Sequence, residues 1–154
     1  MNILIAEDDF ISRKLLKTHL ESMGHDVTVA GDGEEAWRIF NTLPTRLVVS
    51  DWLMPGMDGL ELCKKIRARE NTDYTYFIML TANVSEEGNY DRAMDTGVDD
   101  FLPKPLDKHQ LAIRLRVAER IIQSTSRIQS LENVLTICAY TKKIKFPEEG
   151  WQTI

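Results

Sequence analysis

The sequence predicts an α/β fold, a doubly wound parallel sheet of five strands flanked by five helices, followed by a C-terminal helical extension. Three observations predict it. Short β-rich runs alternate with longer amphipathic runs from residue 2 to about residue 122, the pattern of βα units winding one sheet. The chain has 154 residues, 43% of them hydrophobic and 28% charged, enough for one domain of ordinary size and an appendage. Polar residues that can carry chemistry recur at the ends of the strand candidates, where ligands bind in such sheets.

NILIA is the first strand. Ile11, Leu15, Leu16, His19, Leu20 and Met23 then fall at helical spacing, and Gly24 follows as a C-cap. DVTVA alternates as the second strand, DGEEAWRIFN places Ala36, Trp37 and Phe40 on one side of a short helix, and RLVVS is a β-branched third strand. MPGMDG is a turn in which Asp58 and Glu61 are spaced as a capping box for the helix GLELCKKIRARE, and YFIML is the fourth strand. A fourth helix over residues 85–96 and a short strand over residues 100–102 lead to PKP and a fifth helix beginning near Asp107. There is no internal repeat and no low-complexity stretch.

Composition excludes several classes. No apolar run approaches the roughly 20 residues of a membrane span, and MNILIAEDD lacks the basic flank and cleavage site of a signal peptide, so a cytoplasmic location away from the membrane is expected. Cys63 and Cys138 are too few for a disulfide framework and too far apart for a CxxC zinc site. A net charge of −5 argues against direct nucleic-acid binding and favours a protein partner or a small anion.

The strand ends then point to one rim. Glu7, Asp8 and Asp9 end the first strand, Asp51 the third and Thr81 the fourth, and Lys104 follows the fifth. Singly, each has a plain structural role: Asp8 or Asp9 capping the first helix, Asp51 opening a turn, Lys104 as a solvated charge. Together they bring carboxylates, a hydroxyl and an ammonium to one edge. Clustered carboxylates suit Mg²⁺, a hard cation that shares its site with phosphate. Beside it Asp51 can act as a nucleophile toward phosphorus, with Lys104 balancing the phosphoryl charge and Thr81 donating to a phosphoryl oxygen.

The EDD run at residues 7–9, SDWLMPGMDG, TAN at residues 81–83 and DDFLPKP, in this order and spacing, resemble the receiver domain of two-component response regulators over about residues 1–122. The resemblance implies the flavodoxin-like, CheY-like version of the fold. It implies Asp51 as phosphoacceptor, Asp8 and Asp9 as acids of an Mg²⁺ site, with Asp9 binding most directly, and the Leu53 backbone carbonyl as a further ligand. Thr81 and Phe101 take the places of a switch hydroxyl and a switch aromatic, Lys104 that of the phosphate-pairing lysine, and the Lys104–Pro105 bond is cis. Phe101, where many members have Tyr, keeps a switching ring without its hydroxyl. The implied partners are a sensor histidine kinase or phosphotransfer protein and a second copy, paired through the face of the fourth helix, fifth strand and fifth helix or through the C-terminal helix. The domain is read as a signalling module catalysing only its own phosphorylation and dephosphorylation.

Two other readings compete. A phosphatase of the haloacid dehalogenase type needs DxD, and Leu53 stands at its second Asp. A receiver-like interaction module that takes no phosphate remains the alternative. Beyond residue 122, Leu111, Leu115, Ala118 and Ile122 give way to Ile121, Ser124, Ile128, Leu131 and Leu135, a seam that slips near residues 124–126. LTICAYTKKIKFPEEGW resembles a segment of modular regulators in which CxYCKKI precedes a cysteine-bearing module, with Thr141 at the second cysteine. Residues 123–154 are therefore read as a helical or coiled-coil extension with a truncated or vestigial output segment.

Overall fold

The structure, a computed structural model, describes the backbone of residues 1–70, 73–82, 87–134, 136–138, 143–146 and 150–153, and the side chains of residues 1–70, 73–82 and 89–128. Asn83, Ser85, Leu135 and Thr141 lie outside the described residues, as do the side chains of Leu131 and Cys138.

Five strands, β1 (Asn2–Ala6), β2 (Asp26–Ala30), β3 (Leu47–Asp51), β4 (Tyr76–Thr81) and β5 (Asp100–Pro103), form one parallel sheet in the order β2-β1-β3-β4-β5. Five helices connect and flank them: α1 (Phe10–Ser22), α2 (Gly33–Thr42), α3 (Gly59–Arg67), α4 (Glu87–Thr96) and α5 (Lys108–Val134).

Because successive strand residues point to opposite faces, the sheet carries two cores. Leu4, Val48, Phe77 and Met79 pack with Phe40 of α2, Leu62 and Ile66 of α3 and Ala93 of α4. Ile3, Ile5, Val49 and Ile78 pack with Leu16 and Leu20 of α1 and Leu111, Leu115, Ala118 and Ile122 of α5. Burial on both faces is what makes these strands almost wholly apolar, and what sends polar residues to their ends.

Local signals act as their chemistry dictates. Asp58 accepts from the Glu61 N–H at 2.8 Å while Glu61 reaches back to the Asp58 N–H at 3.4 Å, so the capping box forms. Gly24, one residue past the α1 C-cap, takes φ +89°, the left-handed conformation that ends a helix at low cost in glycine.

The C-terminal part begins as a continuation of α5. The helix runs through the slip of its apolar seam as one element of 27 residues, in which Thr125 Oγ1 donates to the Ile121 and Ile122 carbonyls at 3.1 and 2.9 Å and the Ser126 hydroxyl accepts from Arg46 Nη2 at 2.9 Å. The helical extension ends at Val134. The described residues beyond it are strands, β6 (Thr136–Cys138), β7 (Lys143–Phe146) and β8 (Gly150–Thr153), in an antiparallel meander β6-β7-β8. Among the described residues no helix is long and apolar enough to cross a membrane.

Candidate functional site

The carboxyl ends of β1, β3, β4 and β5 meet at one rim, and the polar residues predicted there come together. Asp51, the last residue of β3, is only 9% exposed, and Thr81 at the end of β4 is 5% exposed. Lys104 follows β5. Its backbone N–H donates to the Thr81 carbonyl at 2.8 Å, and its Nζ lies 3.0 Å from Asp51 Oδ2 and 2.9 Å from Glu7 Oε2. The Lys104–Pro105 peptide is cis, as the resemblance implied.

Glu7, Asp8 and Asp51 each place a carboxylate oxygen within 4.8 Å of the others. The acid that joins Asp8 and Asp51 in this group is Glu7, where the sequence reading had Asp9. Asp9 is the N-cap of α1: its Oδ2 accepts from the Ser12 N–H at 2.8 Å, which holds its carboxyl below the ordinary range and commits it to the helix. Glu7 takes its place. Its carboxylate, fully buried, accepts from Lys104 and from the Asp9 N–H at 3.1 Å. Burial raises the Glu7 pKa, against those hydrogen bonds and with the Asp51 charge adding to the rise. Burial would lower the Lys104 pKa, but its hydrogen bonds to Glu7 and Asp51 and their charges outweigh it, so the ammonium is held above its ordinary value.

Beside the acids opens a cavity of about 510 Å³ lined by Asp51, Trp52, Leu53, Thr81, Tyr90 and Lys104, among others. Leu53, the expected carbonyl ligand, is 76% exposed in the loop after β3. Phe101 packs against two of these lining residues, stacked on Trp52 at 6.2 Å and edge-on to Tyr90 at 4.7 Å between ring centroids. Tyr90 was not singled out from the sequence; one helical residue among many carries no signal until α4 is laid against β5. Gly59 was missed as well. A Cβ there would come within 2.3 Å of the Asp51 carbonyl oxygen and 2.8 Å of the Met79 sulfur, so glycine lets the start of α3 close on the end of β3.

The family model of the response regulator receiver domain matches residues 3–116. The chain belongs to the response regulator receiver family. The phosphate regulon transcriptional regulatory protein PhoB of Rhizobium meliloti is 37% identical over 119 residues, 77% of this chain and 52% of that protein. The response regulator RppA of Synechocystis is 38% identical over 122 residues, 78% and 51% of the two chains. This receiver chain thus spans about half the length of the curated relatives it matches.

Among solved structures, the receiver domain of the Francisella response regulator 1452 superposes with a TM-score of 0.70 at 36% identity, covering 77% of this chain and 96% of that one. The receiver domain of a sensor histidine kinase from Pseudomonas aeruginosa, solved with a magnesium ion coordinated in its active-site cleft, gives 0.68 at 30% identity, covering 79% and 97%. The receiver fold is therefore shared. On the donor set itself, three clustered carboxylates suit a hard, oxygen-seeking dication.

Proposed function

We propose that this receiver takes a phosphoryl group on Asp51, in an Mg²⁺-dependent reaction, from a phosphohistidine of a sensor histidine kinase or phosphotransfer protein, and that the modification switches a partner-binding or self-association face. The observation that carries this reading is Asp51 itself: a buried carboxylate at a strand end, held by a lysine and set beside two further carboxylates. In the transfer an Asp51 oxygen forms the new O–P bond as the donor's P–N bond breaks, and the electron pair of that bond leaves on the imidazole nitrogen. Lys104 fixes Asp51 through Oδ2 and keeps a cation where phosphoryl oxygens add negative charge. Thr81 donates its hydroxyl to a phosphoryl oxygen. Glu7, Asp8 and Asp51, with the Leu53 carbonyl, would hold Mg²⁺, which supplies counter-charge to the phosphoryl group.

Brief incubation with acetyl phosphate and Mg²⁺ tests the reading. A receiver gains one labile phosphoryl group, a phosphatase turns the donor over, and an interaction module does neither. The acid assignment has its own test. Asp8→Asn should weaken Mg²⁺ binding, followed by Trp52 fluorescence, by about tenfold or more, whereas Asp9→Ala should leave it nearly unchanged and lower the melting temperature through the lost cap. Equal weakening at both positions would reject the assignment.

Phosphorylation is proposed to draw Thr81 toward the phosphoryl group and let the Phe101 ring move into the space it leaves, altering the face of α4, β5 and α5. On α4 and α5, Met94, Ile113, Val117 and Ile121 are exposed. Farther along, Arg46 ties α5 to its own domain at Ser126, yet Ile128 remains 56% exposed, which favours an outside partner over a helix folded back on itself. Burying each such side chain contributes about 1.5–3 kcal/mol, and a second copy, at this face or along the C-terminal helix, is the proposed partner. Thr81→Ala should still accept phosphate at Asp51 but lose phosphate-dependent self-association in sedimentation; association equal to the parent's would refute the coupling.

The relatives' names place them in transcriptional regulation. With a net charge of −5, this receiver would reach nucleic acid only through a further segment or partner, and we retain residues 123–154 as the extension through which such an output is addressed.

A further inference from the structure

We propose that Arg13 is a positioning residue for the metal-binding acids, acting on the backbone that carries them. The inference rests on the Mg²⁺ reading above. β1 ends at Ala6, so the Glu7 carbonyl lies beyond the last ladder partner and needs a donor of its own. The Glu7 N–H is still served by the sheet, through the Ala30 carbonyl at 3.1 Å. Its carbonyl is served by Arg13, one turn into α1, whose Nη1 donates to it at 2.7 Å and reaches the Asp8 carbonyl at 3.4 Å.

These are the two carbonyls that flank the Asp8 α-carbon, and holding them sets the direction in which Asp8 projects. Glu7 is gripped by Lys104 and the Asp9 N–H, and Asp51 by Lys104, but among the described residues no hydrogen bond reaches the Asp8 carboxylate, which is exposed. Its place within 4.8 Å of the Glu7 and Asp51 oxygens is therefore fixed through its main chain. The guanidinium is itself confined. The Phe10 ring covers it at 5.7 Å, and a Cβ on Gly31, in the turn after β2, would stand 3.5 Å from Arg13 Nη1 and 3.4 Å from Glu35 Oε2. Both contacts leave the same nitrogen, Nη1, whose hydrogens are held in the guanidinium plane, whereas those of an ammonium rotate freely on a flexible stem.

Arg13 is also a cation near a cation site, so removing it has two opposed effects. Loss of its charge would strengthen Mg²⁺ binding, and loss of its hold on the loop would weaken it. Salt separates them, because the charge effect is screened and the positional one is not. Mg²⁺ is titrated into the parent, Arg13→Lys and Arg13→Met at high ionic strength, with Trp52 fluorescence as the signal and thermal unfolding without Mg²⁺ confirming that each variant is folded.

Arg13→Met should bind Mg²⁺ about tenfold more weakly than the parent, a typical loss for an outer-shell partner, with Arg13→Lys between the two, and acetyl phosphate uptake by both should recover at saturating Mg²⁺. Unchanged or tighter binding in both variants overturns the inference and leaves the metal reading intact. Absence of Mg²⁺ binding in the parent overturns the metal reading instead.

Discussion

Asp51→Asn will gain no phosphoryl group from acetyl phosphate in Mg²⁺, under conditions in which the parent gains one. The amide nitrogen is no nucleophile toward phosphorus, its oxygen carries no full charge, and no other carboxylate is equally placed. Glu7 is fully buried behind the Lys104 ammonium, and Asp8 lies on the exposed side of the group. The substitution keeps the shape of the side chain and its hydrogen bond from Lys104, so the variant folds and its failure reports chemistry. Intact mass after a short incubation is the measurement. A base-labile phosphoryl group appearing on the variant as readily as on the parent would place the acceptor elsewhere.

Lys104→Met has the largest expected effect on stability. It leaves Glu7 and Asp51 as neighbouring buried carboxylates with no cation between them, and removing one partner of a buried ion pair costs about 3 kcal/mol or more. The loss depends on pH. Glu7 already has a folded pKa raised above 4.5, so the stability linked to it is fully present below that value and is lost as pH rises through the folded one. Without the lysine's hydrogen bond and charge, the folded pKa rises further. The deficit against the parent, read from urea unfolding, should be small near pH 4.5 and grow toward pH 8, and Mg²⁺ should recover part of it by mass action. A deficit equal at both ends of that range would mean that lost packing, and not unpaired charge, is the cause.

The elements were legible in the sequence where one physical cause dominates. NILIA, RLVVS and YFIML are strands because both faces of the sheet are covered, and the Asp58–Glu61 box starts α3 as its spacing predicted. Asp51, Thr81 and Lys104 could be placed because each follows an apolar run at a strand end. The three acids at residues 7–9 could not be sorted that way. Which of them faces the rim depends on where β1 stops and α1 starts, to a single residue, and adjacent carboxylates carry no label for that boundary. The Asp9–Ser12 cap decides it in the structure. The slip of the apolar seam in α5 was read from spacing alone, which could not show that Ser126 accepts from Arg46, 80 residues earlier in the chain. Arg13, Tyr90 and Gly59 act through neighbours brought close only by the fold.

The hydrogen bond from Arg46 to Ser126 also tethers α5 to its own domain one turn past Ile122, the last core residue of the helix. At 1.5 Å per residue, about 27 Å of helix lies between Lys108 and Ser126, and about 12 Å between Ser126 and Val134. The longer span is clamped along the sheet by Leu111, Leu115, Ala118 and Ile122, so it can shift only together with that core, and the shorter one lies past the last of these anchors. Exchanging Ser126 for alanine would move the last tether of the rod back toward Ile122 without touching the chemistry at the rim.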